Sequence, residues 1–228
     1  YNDFWLEKGE LSLRTSLLVD PPDGRYPPMT PEAVQRRGQR PSSFDQDGFE
    51  SYMDFSTYDR CLTRGLPGAM SPGFYNHNYQ IVQTPDYVAI LVEMIHDARI
   101  VPLDGRPHLS SSVGQWMGDA RGRWEGDTLV VETTNIHPLH GPREQTDKIP
   151  QSEDARAIER FTRLDDDTIL YEFEIHDPRT YSEVWGGQVP WRRYDDLLYE
   201  YACHEGNYAL TNVLSGARYQ ERQAGRRE

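Results

Sequence analysis

The sequence predicts a mainly β, antiparallel domain preceded by an irregular N-terminal arm. From Tyr79 onward, apolar and polar residues alternate in short runs divided by turn signals. No stretch of helical period separates those runs, which favours a meander over parallel βαβ units. The reading is a calycin-like barrel with one or two short helices, and a sandwich is the alternative. Residues 1–75 form the arm, packed on the core or on a neighbouring protomer, and residues 76–228 form the β domain.

The arm opens with DPPDGRYPPMTPEA, whose five prolines exclude a regular element until Thr30-Pro31-Glu32. There an N-cap residue, a proline at the first helical position and an acid in the first turn predict a short helix over 31–40. The next stretch is polar with scattered aromatics. It reads as a wrapping arm pinned by Phe44, Phe49, Tyr52 and Phe55, with Phe4 and Trp5 also buried.

In the β domain, YQIVQ (79–83), a TPD turn and YVAILVEMIH (87–96) predict a hairpin. RIVPL follows as a short strand ended by DGRP. GRWEGDTLVVETTN predicts a second hairpin turning at Gly126-Asp127. AIERFTRLDDDTILYEFEIHDP predicts a third, turning at Asp165–Asp167, with Ile169, Tyr171, Phe173 and Ile175 on one face. DDLLYEYACHE reads as a further strand before a basic tail. The echo of Asp127-Thr128-Leu129 in Asp167-Thr168-Ile169 marks two similar hairpins and is too little for a propeller.

Composition excludes several classes of partner. A net charge of -13 argues against nucleic acid and anionic membrane surfaces. No apolar run reaches the roughly 20 residues of a membrane span, so none is expected. The mean hydropathy is low, -0.79. Even so, 5 Trp, 14 Tyr and 7 Phe supply enough large apolar surface for a core. Lys8 and Lys148 are the only lysines, so the remaining cations are arginines suited to bidentate pairing with acids. Both lysines lie in polar surroundings, which disfavours Schiff-base chemistry. Cys61 and Cys203 lack CxxC spacing and read either as two reduced thiols or as one long-range disulfide.

Familiar catalytic signatures are absent: there is no phosphate loop, no GxSxG elbow and no HExxH. Three weaker constellations remain. In LDGRPH, Pro107 extends the chain so that Arg106 and His108 project to one side behind the Asp104-Gly105 turn. A guanidinium there would keep His108 neutral, as a general base requires. The plainer reading pairs Arg106 with an acid and leaves His108 capping a strand.

In RGRWEGD, Arg121 and Arg123 share a face beside Trp124 and Glu125, a tip suited to a carboxylate or sugar. Its plainer reading is a core tryptophan among solvated charges. In EYACHEGNY, strand alternation would put Glu200 and His204 on one face and Tyr201 and Cys203 on the other, with either face inward. The seven histidines include no pair with diagnostic metal spacing, so no metal ligand is assigned; a divalent site built from several loops, or calcium on the acidic loops, stays open, and the cofactor is left unknown.

Taken together, IVPLDGRPH, GRWEGDTLVVETTN, ERFTRLDDDTILYEF and YEYACHEGNYALTNVLSGAR resemble a family of uncharacterised exported bacterial proteins. VDPPDGRYPPMTPEA resembles it as well, so the likeness spans nearly the whole chain. It implies a periplasmic or secreted protein whose members begin with a secretion signal, and it implies no activity. In that oxidising setting an even cysteine count predicts a Cys61–Cys203 disulfide.

The expected function is acid–base catalysis, hydrolase or lyase, on a small organic or carbohydrate-like substrate. His108, Arg106, Asp104 and Glu125 are the expected catalytic residues, and Arg123, Trp124, His204 and Glu200 the expected ligand contacts. The acidic balance favours a neutral or polyol-like ligand. A non-catalytic binding protein or an envelope assembly subunit, oligomerising through the arm, is the alternative.

Overall fold

A computed structural model of the chain describes residue 6 and residues 14–39, 48–139 and 150–225. Phe4, Trp5 and Phe44 lie outside the described residues. Among the described residues, nine strands build two antiparallel sheets. The larger comprises β1 (Leu18–Asp20), β5 (Asp119–Glu125), β6 (Thr128–Thr134), β7 (Arg156–Arg163), β8 (Thr168–His176) and β9 (Trp185–Arg192) in the order β1-β9-β8-β7-β6-β5. The smaller comprises β2 (Tyr79–Gln83), β3 (Tyr87–Val92) and β4 (Ala98–Pro102) in sequence order. Helix α1 (Pro31–Gln39) matches the predicted helix, with the Thr30 hydroxyl accepting from the Ala33 N–H as its cap.

The two sheets enclose one core. A Cβ on Gly122 of β5 would lie 2.7 Å from Val101 Cγ1, so β4 lies directly against β5. At the other edge Tyr79 of β2 stacks on Trp191 of β9 with ring centres 4.2 Å apart. No hydrogen-bonded ladder joins the sheets among the described residues, and a barrel requires a continuous one. The arrangement is therefore sandwich-like, and the barrel gives way to its alternative.

Inward positions of the larger sheet carry rings. Phe161, Tyr171, Phe173 and Trp185 are buried and meet one another and Trp191 in stacked, tilted and edge contacts. Such offset geometries suit the quadrupoles of aromatic rings and fill the space between the sheets. The predicted alternation in β8 holds for Tyr171, Phe173 and Ile175, all buried.

Two charges interrupt this apolar interior. In β4, Arg99 and Val101 point inward while Ile100 is 56% exposed. Glu159 of β7 faces Arg99 from the opposite sheet, and both side chains are almost fully buried. Arg99 Nη1 donates to Glu159 Oε1 at 2.9 Å, and Nη2 donates to Oε2. The Tyr171 hydroxyl donates to Glu159 Oε1 at 2.9 Å. Burial opposes charge on Arg99, but the facing carboxylate outweighs it and holds the guanidinium's pKa above its ordinary value.

Three expectations need correction at the ends of the chain. Residues 195–208 form no strand, because the segment passes outside both sheets and keeps most of its side chains exposed. The tail beyond it is helical, α2 (Ala209–Ala224), and buries no residue. Strand β9 was hidden in WGGQVPWR, where two glycines and a proline suppress the strand signal. It tolerates them because β1 pairs it only at Gly186 and Gly187, leaving its outer edge open at Pro190.

From Arg192 onward no described residue is buried. The segment is tied back by the predicted Cys61–Cys203 disulfide and by Arg218, which donates to the carbonyls of Phe49 and Glu50. In the arm, Phe55 is buried and stacked on Phe49, whereas Tyr52 is 58% exposed. No described helix is long and apolar enough to cross a membrane.

Two outcomes follow from this packing. Glu159→Leu, which strands the Arg99 charge, should cost about 3–5 kcal/mol in urea unfolding, and adding Arg99→Met should restore most of it. Replacing both cysteines by serine should lower stability by about 2–5 kcal/mol. Trypsin should then cut within residues 192–225 before it cuts the sheets.

Candidate functional site

The loop between β4 and β5 brings His108 to Asp119, the first residue of β5. His108 Nδ1 lies 3.0 Å from Asp119 Oδ2. The same carboxylate accepts from the Leu109 N–H at 2.9 Å and from Arg121 Nη1 at 2.7 Å. Arg121 also donates to the Pro107 carbonyl, which closes the loop back on the strand. Asn135, left-handed at φ 56°, clamps the outer limb by donating to the carbonyls of Leu109 and Ser110.

Burial alone would raise the Asp119 pKa, but the hydrogen bonds from Leu109, His108 and Arg121 together hold it below the usual carboxylate value. An ionised Asp119 accepts from His108 Nδ1–H, so the neutral ring carries its lone pair on Nε2. The imidazole side chain is 26% exposed, and no hydrogen bond reaches Nε2 from the described residues. Such a pair can take a proton from, or return one to, a molecule at the loop surface.

The other residues expected at this site are distributed differently. Arg106 Nε and Nη2 both bond the Asp104 carboxylate, and Nη2 donates to the Tyr87 hydroxyl. The Arg106 hydrogen bonds bring Asp104 down to about 2. Arg106 therefore pairs with an acid, as the plainer reading had it, while His108 engages the side chain of Asp119 at the start of β5. Arg123 pairs with Glu125, which also takes Arg160. No hydrogen bond or ion pair joins either to His108 among the described residues. Trp124 is 45% exposed at the hairpin tip, so it is no core residue.

Asp119 is the member of the site that the sequence did not yield, and Arg121, read there with Arg123 at the hairpin tip, belongs with Asp119 instead. Asp119 stands eleven residues from His108 with no motif between them, and only the path of the loop makes them neighbours.

A second polar cluster gathers around the disulfide. His204 lies beside His96 with ring centres 6.4 Å apart, whereas Glu200 is exposed on the irregular segment. The strand-face reading of these residues fails with the strand itself. Tyr201 approaches Tyr58, their hydroxyls 3.4 Å apart, and Arg64 sits over the Tyr58 ring. Arg64 Nη1 lies 2.6 Å from His77 Nε2, and the His77 ring packs so close to Gly73 that a Cβ there would fall 1.9 Å from Nε2. Cys61, Asn76, Ile95 and His96 in this region all take left-handed backbone.

Elsewhere, Asp167, Arg192, Arg193 and Asp195 line a polar depression in which Arg193 pairs with both acids. Among the described residues no group of three or more His, Cys, Asp or Glu side chains is placed to hold a metal ion. No family model, curated protein or solved structure matches the chain.

Burial, with the Arg64 charge adding to it, pushes His77 down to about 4. An unfolded chain takes up this proton near the ordinary value of about 6.5, before the folded one does. Stability linked to His77 is thus complete above that pH and falls by about 3 kcal/mol as pH drops towards 4. Urea midpoints measured between pH 7 and 4.5 should show this slope, and His77→Gln should flatten it.

Proposed function

We propose that the protein is an exported enzyme, a hydrolase or lyase, that moves a proton on a small, neutral, hydroxylated or carbohydrate-like substrate. The His108–Asp119 pair carries this reading. Asp119 fixes the ring and its tautomer, Arg121 and the Leu109 N–H fix Asp119, and Nε2, which takes no hydrogen bond from the described residues, is the proton-transfer atom. Arg106, Asp104 and the Tyr87 hydroxyl border the same loop and offer polar contacts to substrate hydroxyls. Neutral substrates are favoured because Arg106 and Arg121 are both engaged with carboxylates and the chain carries a net charge of -13. Export is supported by the disulfide, a bond that persists in oxidising compartments.

A second reading, attachment to other envelope components, draws on the exposed Leu197, Tyr199, Tyr208 and Tyr219 of the C-terminal segment. It needs no proton transfer and predicts that His108 is dispensable.

The test is hydrolysis of small p-nitrophenyl esters and glycosides, together with β-elimination from methyl-esterified uronate oligosaccharides, across pH 5–9. Activity should rise with deprotonation of one group and fall by about 10²–10⁴-fold in His108→Ala. Asp119→Asn should fold, lose most activity and change the His108 tautomer seen by ¹⁵N-histidine NMR. Unaltered turnover in His108→Ala would remove the assignment.

A further inference from the structure

The turn between β3 and β4 presents a histidine by an unusual backbone route. Ile95 and His96 are consecutive non-glycine residues at φ 65° and 52°, and the first is β-branched. Left-handed backbone is costly for such residues and persists only where the surroundings enforce it. Ile95 is buried in the core, and His96 is thereby turned outward, where it is exposed.

The irregular 201–207 segment meets it there. His96 Nδ1 lies 3.1 Å from the Tyr201 carbonyl oxygen. A carbonyl can only accept, so Nδ1 carries the hydrogen and the neutral ring presents the lone pair of Nε2. The same carbonyl accepts from the Cys203 N–H at 2.8 Å, which fixes its direction. A backbone carbonyl that orients an imidazole through one nitrogen is the usual outer partner of a histidine that binds metal through the other.

His204 follows Cys203, whose disulfide to Cys61 anchors it to the body of the protein. The Asn207 N–H donates to the His204 carbonyl and tightens the same turn. The two imidazole centres are 6.4 Å apart with their planes at 53°. Rings that each place a nitrogen about 2.0–2.1 Å from one ion have centres roughly 4.5 Å apart in cis, 5 Å in tetrahedral and 6.5 Å in trans coordination, so 6.4 Å matches a trans pair and the other geometries need the two side chains to close by about 1–2 Å.

We propose that His96 and His204 form a binding site for one borderline divalent ion, Zn²⁺, Ni²⁺ or Cu²⁺, with open positions left to water or an external ligand. Imidazole is the ligand these ions share. The described residues offer no third His, Cys, Asp or Glu ligand, so the protein contributes a pair and the coordination stays open. The net charge of -13 draws cations to the surface. The two histidines lie 108 residues apart in the chain and meet only because the disulfide-tied segment crosses the β3–β4 turn.

Calorimetric titration of the disulfide-intact protein with Zn²⁺ and with Cu²⁺ tests the site. The variants are His96→Asn, which tolerates left-handed backbone, His204→Ala, and His176→Ala as a control, each checked for folding by circular dichroism. One ion should bind the wild type and His176→Ala alike, and His96→Asn and His204→Ala should each bind at least about tenfold more weakly. In ¹⁵N-histidine spectra, Zn²⁺ should move Nε2 of His96 while Nδ1 stays protonated. Equal affinity in all four proteins, or a wild type that takes up no ion, would overturn the proposal.

Discussion

Arg99 and Glu159 join the two sheets through the middle of an otherwise aromatic core. Each lies on a different sheet, and the hydrogen bonds of Tyr171 and Thr133 tie two further strands to the pair. A buried ion pair is weak evidence for stability in itself, since desolvation of both charges offsets their attraction. Its consequence here is registration. With one inward charge on each of these strands, any other placement of β4 over β7 would leave one charge in apolar surroundings. Packing of rings alone does not discriminate so sharply, because aromatic side chains accept several mutual orientations.

The C-terminal segment obeys different rules. Beyond Arg192 the chain buries no described residue, so the hydrophobic effect does little to hold it. A covalent link to Cys61 and a few polar contacts take that role, and they place His204, Tyr201 and Asn207 over the loop that holds Cys61 and Tyr58. Among the described residues, four of the five non-glycine residues with left-handed backbone, Cys61, Asn76, Ile95 and His96, lie at the β3–β4 turn and the loops around the disulfide. Backbone strain of this kind needs surroundings that over-determine it, and the disulfide contributes to them.

At the His108 loop, order comes from polar contacts to the backbone. Asn135 and Arg121 each hold loop carbonyls, and Asp119 receives one backbone N–H and two side chains. An exposed loop thus acquires a fixed histidine without a large apolar contact.

The sequence by itself determined the strands whose pattern alternates. β2, the β5–β6 hairpin and the β7–β8 hairpin stand where turn residues and alternating apolar positions put them, and helix α1 begins at its capping signal. The disulfide was legible from two cysteines and a resemblance to exported proteins. β9 was not, since Gly186, Gly187 and Pro190 oppose strand formation locally and are tolerated only beside β8 and the short β1. Nor was the inward turn of Arg99, because alternation in RIVPL is equally consistent with Ile100 facing the core, and only Glu159 on another sheet decides between them. His108 could be singled out by its neighbours in the chain, whereas Asp119, Arg121 and the approach of His204 to His96 depend on loop paths and a cross-link. Local pattern reports which residues prefer a pleated, half-buried surface. Which side chains meet is a property of the whole packed chain.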